Sequence, residues 1–334
     1  MRTTTRSRAI CTVTVATPGI SIKEKIMPKM PRRKFMQSLT AAVTTSSMVL
    51  ALKQPKRLPI SFSTLGCPKW DWKTILKNAS AWGYAAIELR GVQGELDLTK
   101  RPEFSNSGLT QSLKELEALD LRISNLGSSA HMHESDPAKR SQQMDEGKRF
   151  IDLAQRLLSP YVRVFGDKVD PAQPRQATID RVVAGLRELG EYARGSKVTV
   201  ILESHGDFYD SPTLLQVMKG AEMPTVGLLW DAYHTCTAGN EDPARTFKQL
   251  GSYVRHTHLK DSVPAGKEEH YVLTGTGTVP VKKTVKVLVD GGYRGYYNFE
   301  WEKLWHPEIE EPEIAIPHFA KVIREYLAEA GLKA

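Results

Sequence analysis

From Leu58 onward, short apolar runs alternate with longer amphipathic ones. The short runs are Leu58 to Leu65, Ala85 to Arg90, Arg122 to Leu126, Tyr161 to Phe165, Val198 to Glu203, Val226 to Asp231, Val254 to Leu259 and Gly295 to Trp301. Their β-branched and aromatic content predicts strands. The longer runs carry apolar residues at helical spacing: Trp72 to Trp82, Gly108 to Leu119, Ala138 to Leu158, Ala177 to Ala193, Ser211 to Lys219, Pro243 to Leu250, Val281 to Val289 and Glu313 to Ala330. Ser211-Pro212, Asp242-Pro243 and Glu311-Pro312 place proline where a helix begins, and Gly83, Gly220, Gly291-Gly292 and Gly331 stand where helices end. Strict alternation, with a repeat of about 34 residues, predicts parallel βαβ units. Eight such units close a single-domain (β/α)8 TIM barrel over residues 58–334. A doubly wound sheet would carry G-x-G-x-x-G after its first strand; none is there, so no nucleotide cofactor is expected.

Charge divides the chain. The whole has 46 Lys plus Arg against 38 Asp plus Glu, a net +8 that invites a nucleic-acid reading. Residues 1–57 hold 12 of those bases and one acid, Glu24, leaving 34 bases against 37 acids in the body. The body is therefore slightly acidic and implies no phosphate-tracking surface. Within the tail, Met30-Pro31-Arg32-Arg33-Lys34-Phe35 precedes the uncharged, weakly apolar stretch Ser38 to Leu52, which Lys53, Lys56 and Arg57 close. The pattern resembles a twin-arginine export signal built on Arg32 and Arg33. At about 15 residues the apolar stretch is short of the roughly 20 that span a bilayer. Periplasmic export through that machinery is the expectation. Because no A-x-A cleavage site is evident, an uncleaved membrane anchor is the alternative. Met27 or Met30 makes a better start than Met1. Of three cysteines, Cys67 and Cys236 lie in the body and are expected as free thiols.

Catalytic groups of a TIM barrel sit at the C-terminal ends of its strands. The last four apolar runs end in Glu203-Ser204-His205, Asp231-Ala232-Tyr233-His234, His256-Thr257-His258-Leu259-Lys260-Asp261 and Glu300-Trp301-Glu302. Each end brings a carboxylate or imidazole, together offering three carboxylates and one imidazole for a divalent ion. Mn²⁺ or Mg²⁺ suits this set better than a thiolate-seeking ion, with Zn²⁺ or Co²⁺ as alternatives. A single Glu at a strand end is usually a solvated loop charge. Four successive ends within apolar contexts such as Val-Ile-Leu-Glu are another matter, because carboxylates buried there must be paired or bound to metal.

The motifs Leu202-Glu203-x-His205, Asp231-x-x-His234, His258-x-Lys260-Asp261, Gly275-x-Gly277 and Gly292-Tyr293-x-Gly295 leading to Glu300 resemble those of the xylose-isomerase-like TIM-barrel superfamily of sugar isomerases and epimerases. The resemblance covers roughly residues 58–330. It implies that Glu203, Asp231, His258 and Glu300 bind one divalent metal and that Glu203 and Glu300 act as acid and base. It also implies that His205, His234, Lys260 and Glu88 line a small carbohydrate. The implied reaction is isomerisation or epimerisation by enediolate proton transfer on a ketose. One rival is a lyase or dehydratase acting on a keto-sugar or keto-glycoside, which export favours because sugar phosphates are largely intracellular. The other is a non-catalytic exported carbohydrate-binding barrel.

Three further features carry expectations. His131-Met132-His133-Glu134 could add metal ligands, as in the related DNA-repair endonuclease barrels, although the acidic body argues against a nucleic-acid substrate. Gly275-Thr276-Gly277 could hold a hydroxyl or phosphate ahead of a helix. Trp230 and the run Trp301 to Pro307 offer aromatic faces either to a sugar or to the core. Oligomer formation is compatible with the sequence, which does not specify it.

Overall fold

The structure is a computed structural model that describes residues 57–266 and 268–332. The tail through Lys56, with the twin-arginine motif and its export reading, lies outside the described residues. Eight parallel strands form the barrel: β1 (Ile60–Ser63), β2 (Ala86–Leu89), β3 (Arg122–His131), β4 (Tyr161–Phe165), β5 (Thr199–Glu203), β6 (Val226–Asp231), β7 (Val254–Leu259) and β10 (Tyr297–Phe299). They close in the order β1-β10-β7-β6-β5-β4-β3-β2. Strands buried on both faces read as apolar runs rather than alternations, and β1, β2 and β6 are buried throughout. The first strand starts only at Ile60, since Pro59 has no N–H for the ladder.

The surrounding helices are α1 (Trp72–Ala81), α2 (Leu109–Ala118), α3 (Pro137–Arg156), α4 (Arg175–Tyr192), α5 (Ser211–Gly220), α6 (Ala232–Cys236), α7 (Pro243–Leu250), α8 (Val281–Asp290) and α9 (Pro312–Glu329). Asp71, Asp136, Asp210 and Asp242 cap their helices by accepting a backbone N–H at 2.8 to 2.9 Å. Pro137, Pro243 and Pro312 start α3, α7 and α9, where a missing N–H costs nothing. Phe319 of α9 stacks on Phe299 of β10 at 4.4 Å, and Phe299 in turn stacks on Trp301 at 5.5 Å. Cys67 and Cys236 are free. Among the described residues no helix is long and apolar enough to cross a membrane.

Strict alternation fails at two places. The short α6 follows β6 directly, its N-terminus capped by Asp231, which accepts from Tyr233 N at 2.9 Å. Between β7 and α8 an antiparallel hairpin is inserted, β8 (Asp261–Ala265) and β9 (Glu268–Val272). Pro264 and the polar pairing of this ribbon, buried at Asp261, Ser262 and Tyr271 and exposed toward its turn, conceal it from a hydrophobic pattern. In addition, β3 runs five residues beyond its predicted end, through a register shift between Gly127 and His131. Its polar Ser128 is buried there because its hydroxyl donates to Arg163 O at 2.6 Å.

Candidate metal centre

Register sets the height of each site residue. Asp231 is the pairing partner of His258, and Glu203 pairs with Phe165 and Leu229. Glu300 stands one residue past β10, its N–H donating to Leu259 O at 3.2 Å. These placements bring one ligand atom each from Glu203, Asp231, His258 and Glu300 within 4.8 Å of one another, all four residues being buried. His258 Nδ1 lies 3.2 Å from Glu203 Oε1 and 3.0 Å from Glu300 Oε1.

Three carboxylates in this space demand compensation. Arg163, from the middle of β4, donates to Glu203 Oε2 at 2.9 Å, with both side chains 2% exposed. Its guanidinium also lies over the Phe165 ring at 3.8 Å. It reaches Glu203 past Gly127, where a Cβ would come within 2.7 Å of both Arg163 Nη2 and Arg90 Cδ. Burial raises the Glu203 carboxyl, but Arg163 and His258 outweigh it and bring the group down to about 2.

Lys260 Nζ contacts Asp231 Oδ2 at 2.7 Å, Glu300 Oε2 at 2.5 Å and Glu302 Oε1 at 2.7 Å. Burial acts to lower the Lys260 ammonium, yet Asp231, Glu300 and Glu302 hold it well above the usual lysine range. Burial also pushes the Asp231 carboxyl up to about 7, with Lys260 opposing and Glu300 adding to the rise. Lys260 is thus turned into the acidic cluster and 1% exposed.

Glu88 also lies elsewhere than a sugar-lining position requires. It sits inside β2, one residue short of the strand end and fully buried, beneath the cluster. Its Oε2 meets His258 Nε2 at 2.9 Å, His256 Nε2 at 3.0 Å and Asn125 Nδ2 at 2.9 Å. A carboxylate there fixes the His258 ring and turns Nδ1 toward Glu203 and Glu300, as outer carboxylates do for metal-binding histidines.

His205 and His234 stand at the rim. His234 Nε2 is 3.5 Å from Asp231 Oδ2, and burial, then Lys260 and His205, holds its imidazole neutral, well below the usual range. His205 is 38% exposed, with Nδ1 at 3.5 Å from Asp167 Oδ1. Rings follow the mouth in contact: Phe165 to His205 at 4.9 Å, His205 to His234 at 4.8 Å, His234 to Tyr233 at 4.9 Å, Tyr233 to Tyr271 at 5.4 Å and Tyr271 to His306 at 4.9 Å. Trp230 and Trp301 are instead core residues, their indole N–H groups donating to Thr235 Oγ1 and Glu310 O, both at 3.0 Å.

The Gly275-x-Gly277 turn is filled from within the chain. Asp261 Oδ2 accepts from Gly275 N at 2.8 Å and Gly277 N at 3.0 Å, while Oδ1 takes Val279 N at 3.1 Å. Glycine is required because a Cβ on residue 277 would meet Asp261 Oδ1 at 2.2 Å. This loop therefore anchors the hairpin and offers these N–H groups to no phosphate.

Sequence reasoning assigned no role to Arg163, His256, Asn125, Glu302 or Tyr271. Arg163 had a signal, an arginine inside the apolar run Tyr-Val-Arg-Val-Phe, where a charge needs a buried partner.

The donor set fits a divalent ion: three carboxylates and one imidazole converge, and they already hold a cationic group, the Lys260 ammonium. Fold and site define a class, (β/α)8 barrels with an acidic pocket at the C-terminal mouth whose side chains could hold a divalent ion. Residues 76–326 match the family of xylose isomerase-like TIM barrels, and the chain belongs to it. Fructoselysine 3-epimerase of Shigella flexneri is 24% identical over 276 residues, covering 80% of this chain and 97% of that protein. The solved structure of the IOLI protein with a bound zinc atom superposes with a TM-score of 0.69 at 17% identity, over 82% of this chain and 99% of that one. The probable 3-DHS dehydratase AsbF of Bacillus anthracis gives a TM-score of 0.67 at 18% identity, over 80% and 99%.

Proposed function

We propose that the protein is a divalent-metal-dependent sugar isomerase or epimerase that moves a proton at a carbon beside a ketose carbonyl. The observation that carries this reading is the convergence of Glu203 and Glu300, from separate strand ends, on one imidazole nitrogen at 3.2 and 3.0 Å. Glu203, Asp231, His258 and Glu300 would hold the ion. When bound, it supplies positive charge to stabilise the oxyanion that develops as the C–H proton leaves.

The protein's own groups do the rest. Arg163 keeps Glu203 in its ionised, base form, and as a weak base it would rely on the acidity that a bound ion gives the C–H beside the carbonyl. Burial raises the Glu300 carboxyl, but His258 and Lys260 hold it well below the usual range, so Glu300 would first take a proton from solvent and then return it, while Glu203 gives the abstracted proton back to solvent. Delivery from the opposite side of the same carbon inverts the centre, and delivery to the neighbouring carbon moves the carbonyl. The arc from Phe165 to His306 gives apolar faces suited to a sugar ring, with His234 and His205 among them to bond hydroxyls. The likeness to an epimerase over nearly its whole length supports this assignment.

The likeness to a dehydratase favours a second reading, in which the same proton abstraction expels a β-substituent. His205, braced by Asp167, would then protonate the departing oxygen. Incubation of metal-loaded protein with ketoses and 3-keto-glycosides in deuterated water separates the two. A deuterated epimer or isomer supports the first; loss of water or an aglycone supports the second. Binding without any exchange would leave only a carbohydrate-binding barrel. We also propose that residues 30–57 direct export, on the strength of the Arg32-Arg33 motif. Unchanged export after both arginines become lysine would refute that.

A further inference from the structure

A second group of metal-ligating side chains stands at the neighbouring strand ends. His131 closes β3, His133 follows two residues later, and Asp167 lies two residues past β4. One ligand atom from each lies within 4.8 Å of the others. Asp167 Oδ2 is 3.1 Å from His131 Nδ1, and the His131 and His133 rings meet at 5.6 Å and 78°.

The support around these residues is rigid. The His131 N–H donates to Gln143 Oε1 of α3 at 2.9 Å, and Arg181 of α4 donates to His133 O at 3.1 Å. Asp167 is held at φ 62°, a left-handed conformation that costs a non-glycine residue energy, and its carbonyl accepts Asp207 N at 2.6 Å. His133 Nδ1 is buried and has no hydrogen-bond partner among the described residues. That nitrogen is therefore left open to a ligand.

We propose that His131, His133 and Asp167 form a second metal site, distinct from the Glu203–Asp231–His258–Glu300 cluster and selective for a borderline transition-metal cation. Two imidazoles and one carboxylate suit Zn²⁺, Co²⁺ or Ni²⁺, whereas the oxygen-rich cluster also accepts Mg²⁺ and Mn²⁺. Three protein ligands leave positions open to water or to a substrate oxygen. Side-chain exposures of 32%, 19% and 15% give the ion a path from solvent. His205, on the far carboxylate oxygen of Asp167, positions that ligand and joins the two sites along the rim.

The test is cobalt titration of the chelator-stripped full chain, read by calorimetry, visible absorption and elemental analysis. Wild type should take up about two equivalents of Co²⁺ but about one of Mg²⁺, because hard Mg²⁺ disfavours imidazole donors. A His131→Ala, His133→Ala double variant should lose one Co²⁺ and keep the other with its spectrum, which shows that it folds. A Glu203→Gln, Asp231→Asn variant should lose the other ion and keep the one that depends on His131. Wild-type uptake of one equivalent would overturn the proposal, as would two equivalents unchanged in the histidine variant. Because the sites are read separately, failure here leaves the proton-transfer reading standing, and the reverse holds.

Discussion

Replacing Glu88 by Gln keeps the shape of the side chain while removing the charge beneath His258. In the native barrel one oxygen, Glu88 Oε2, serves His258 Nε2, His256 Nε2 and Asn125 Nδ2 at 2.9 to 3.0 Å. A glutamine has a single acceptor oxygen and no charge, so the hydrogen bond to His258 drops to roughly half its strength. The ring also loses the group that selects a free Nδ1 facing Glu203 and Glu300. Loss of an outer carboxylate of this kind typically lowers metal affinity by about 10–100-fold. That corresponds to about 1.4–2.8 kcal/mol at about 1.4 kcal/mol per tenfold. The assay is competition against a chromophoric chelator, with Mn²⁺ as probe, alongside thermal unfolding to confirm the fold. A folded Glu88→Gln protein whose Mn²⁺ affinity matches wild type would show that Glu88 does not orient a metal ligand.

Further outcomes follow from the same geometry. Burial acts to lower the His258 imidazole, but Glu300, Glu88 and Glu203 together raise it well above the usual range, and Asp231 stands at about 7. Both groups must be deprotonated to bind a cation, so Mn²⁺ uptake at neutral pH should release protons and weaken by about tenfold or more per unit fall in pH. Release is measured in a weakly buffered titration; pH-independent affinity refutes the assignment. Arg163→Met removes the first compensating charge from buried Glu203 and leaves only His258 beside it, which should cost about 3–5 kcal/mol of stability in denaturant unfolding. A change below about 1 kcal/mol would mean the pair is better solvated than the structure shows. Burial raises the Cys67 thiol well above the usual range and the Cys236 thiol to about 12. Neither should react with maleimide at pH 7 in the native protein, and both should after denaturation, as peptide mapping can show.

Much of the barrel was legible because its strands are buried on both faces and therefore leave continuous apolar runs. The β8–β9 hairpin was not, since a ribbon over the barrel mouth, with Pro264 inside it, carries no such run. The polar end of β3 was invisible for a related reason: Ser128 is buried through a hydrogen bond to Arg163 O, not through its own hydrophobicity. Glu203, Asp231, His258 and Glu300 could be gathered because each ends a predicted strand or lies one residue short of its end. Depth within the barrel was what the spacing lacked. Glu88 and His258 both lie one residue before their strand ends, yet Glu88 bonds the Nε2 side of the His258 ring, away from Glu203 and Glu300, and Arg163 lies in mid-strand with its partner on β5. The glycine motif at Gly275 and Gly277 needed Asp261, 14 and 16 positions earlier, to reveal its purpose.

The central claim is that Glu203 and Glu300 exchange a proton with a carbon beside a sugar carbonyl. Its most direct test is deuterium incorporation from solvent into ketose substrates, followed by NMR, with Mn²⁺-loaded wild type and with Glu203→Gln and Glu300→Gln variants that still bind the metal. The account predicts wash-in at a single carbon with wild type and its loss, by about 100-fold or more, in each variant. Wash-in at the wild-type rate in either variant would contradict it.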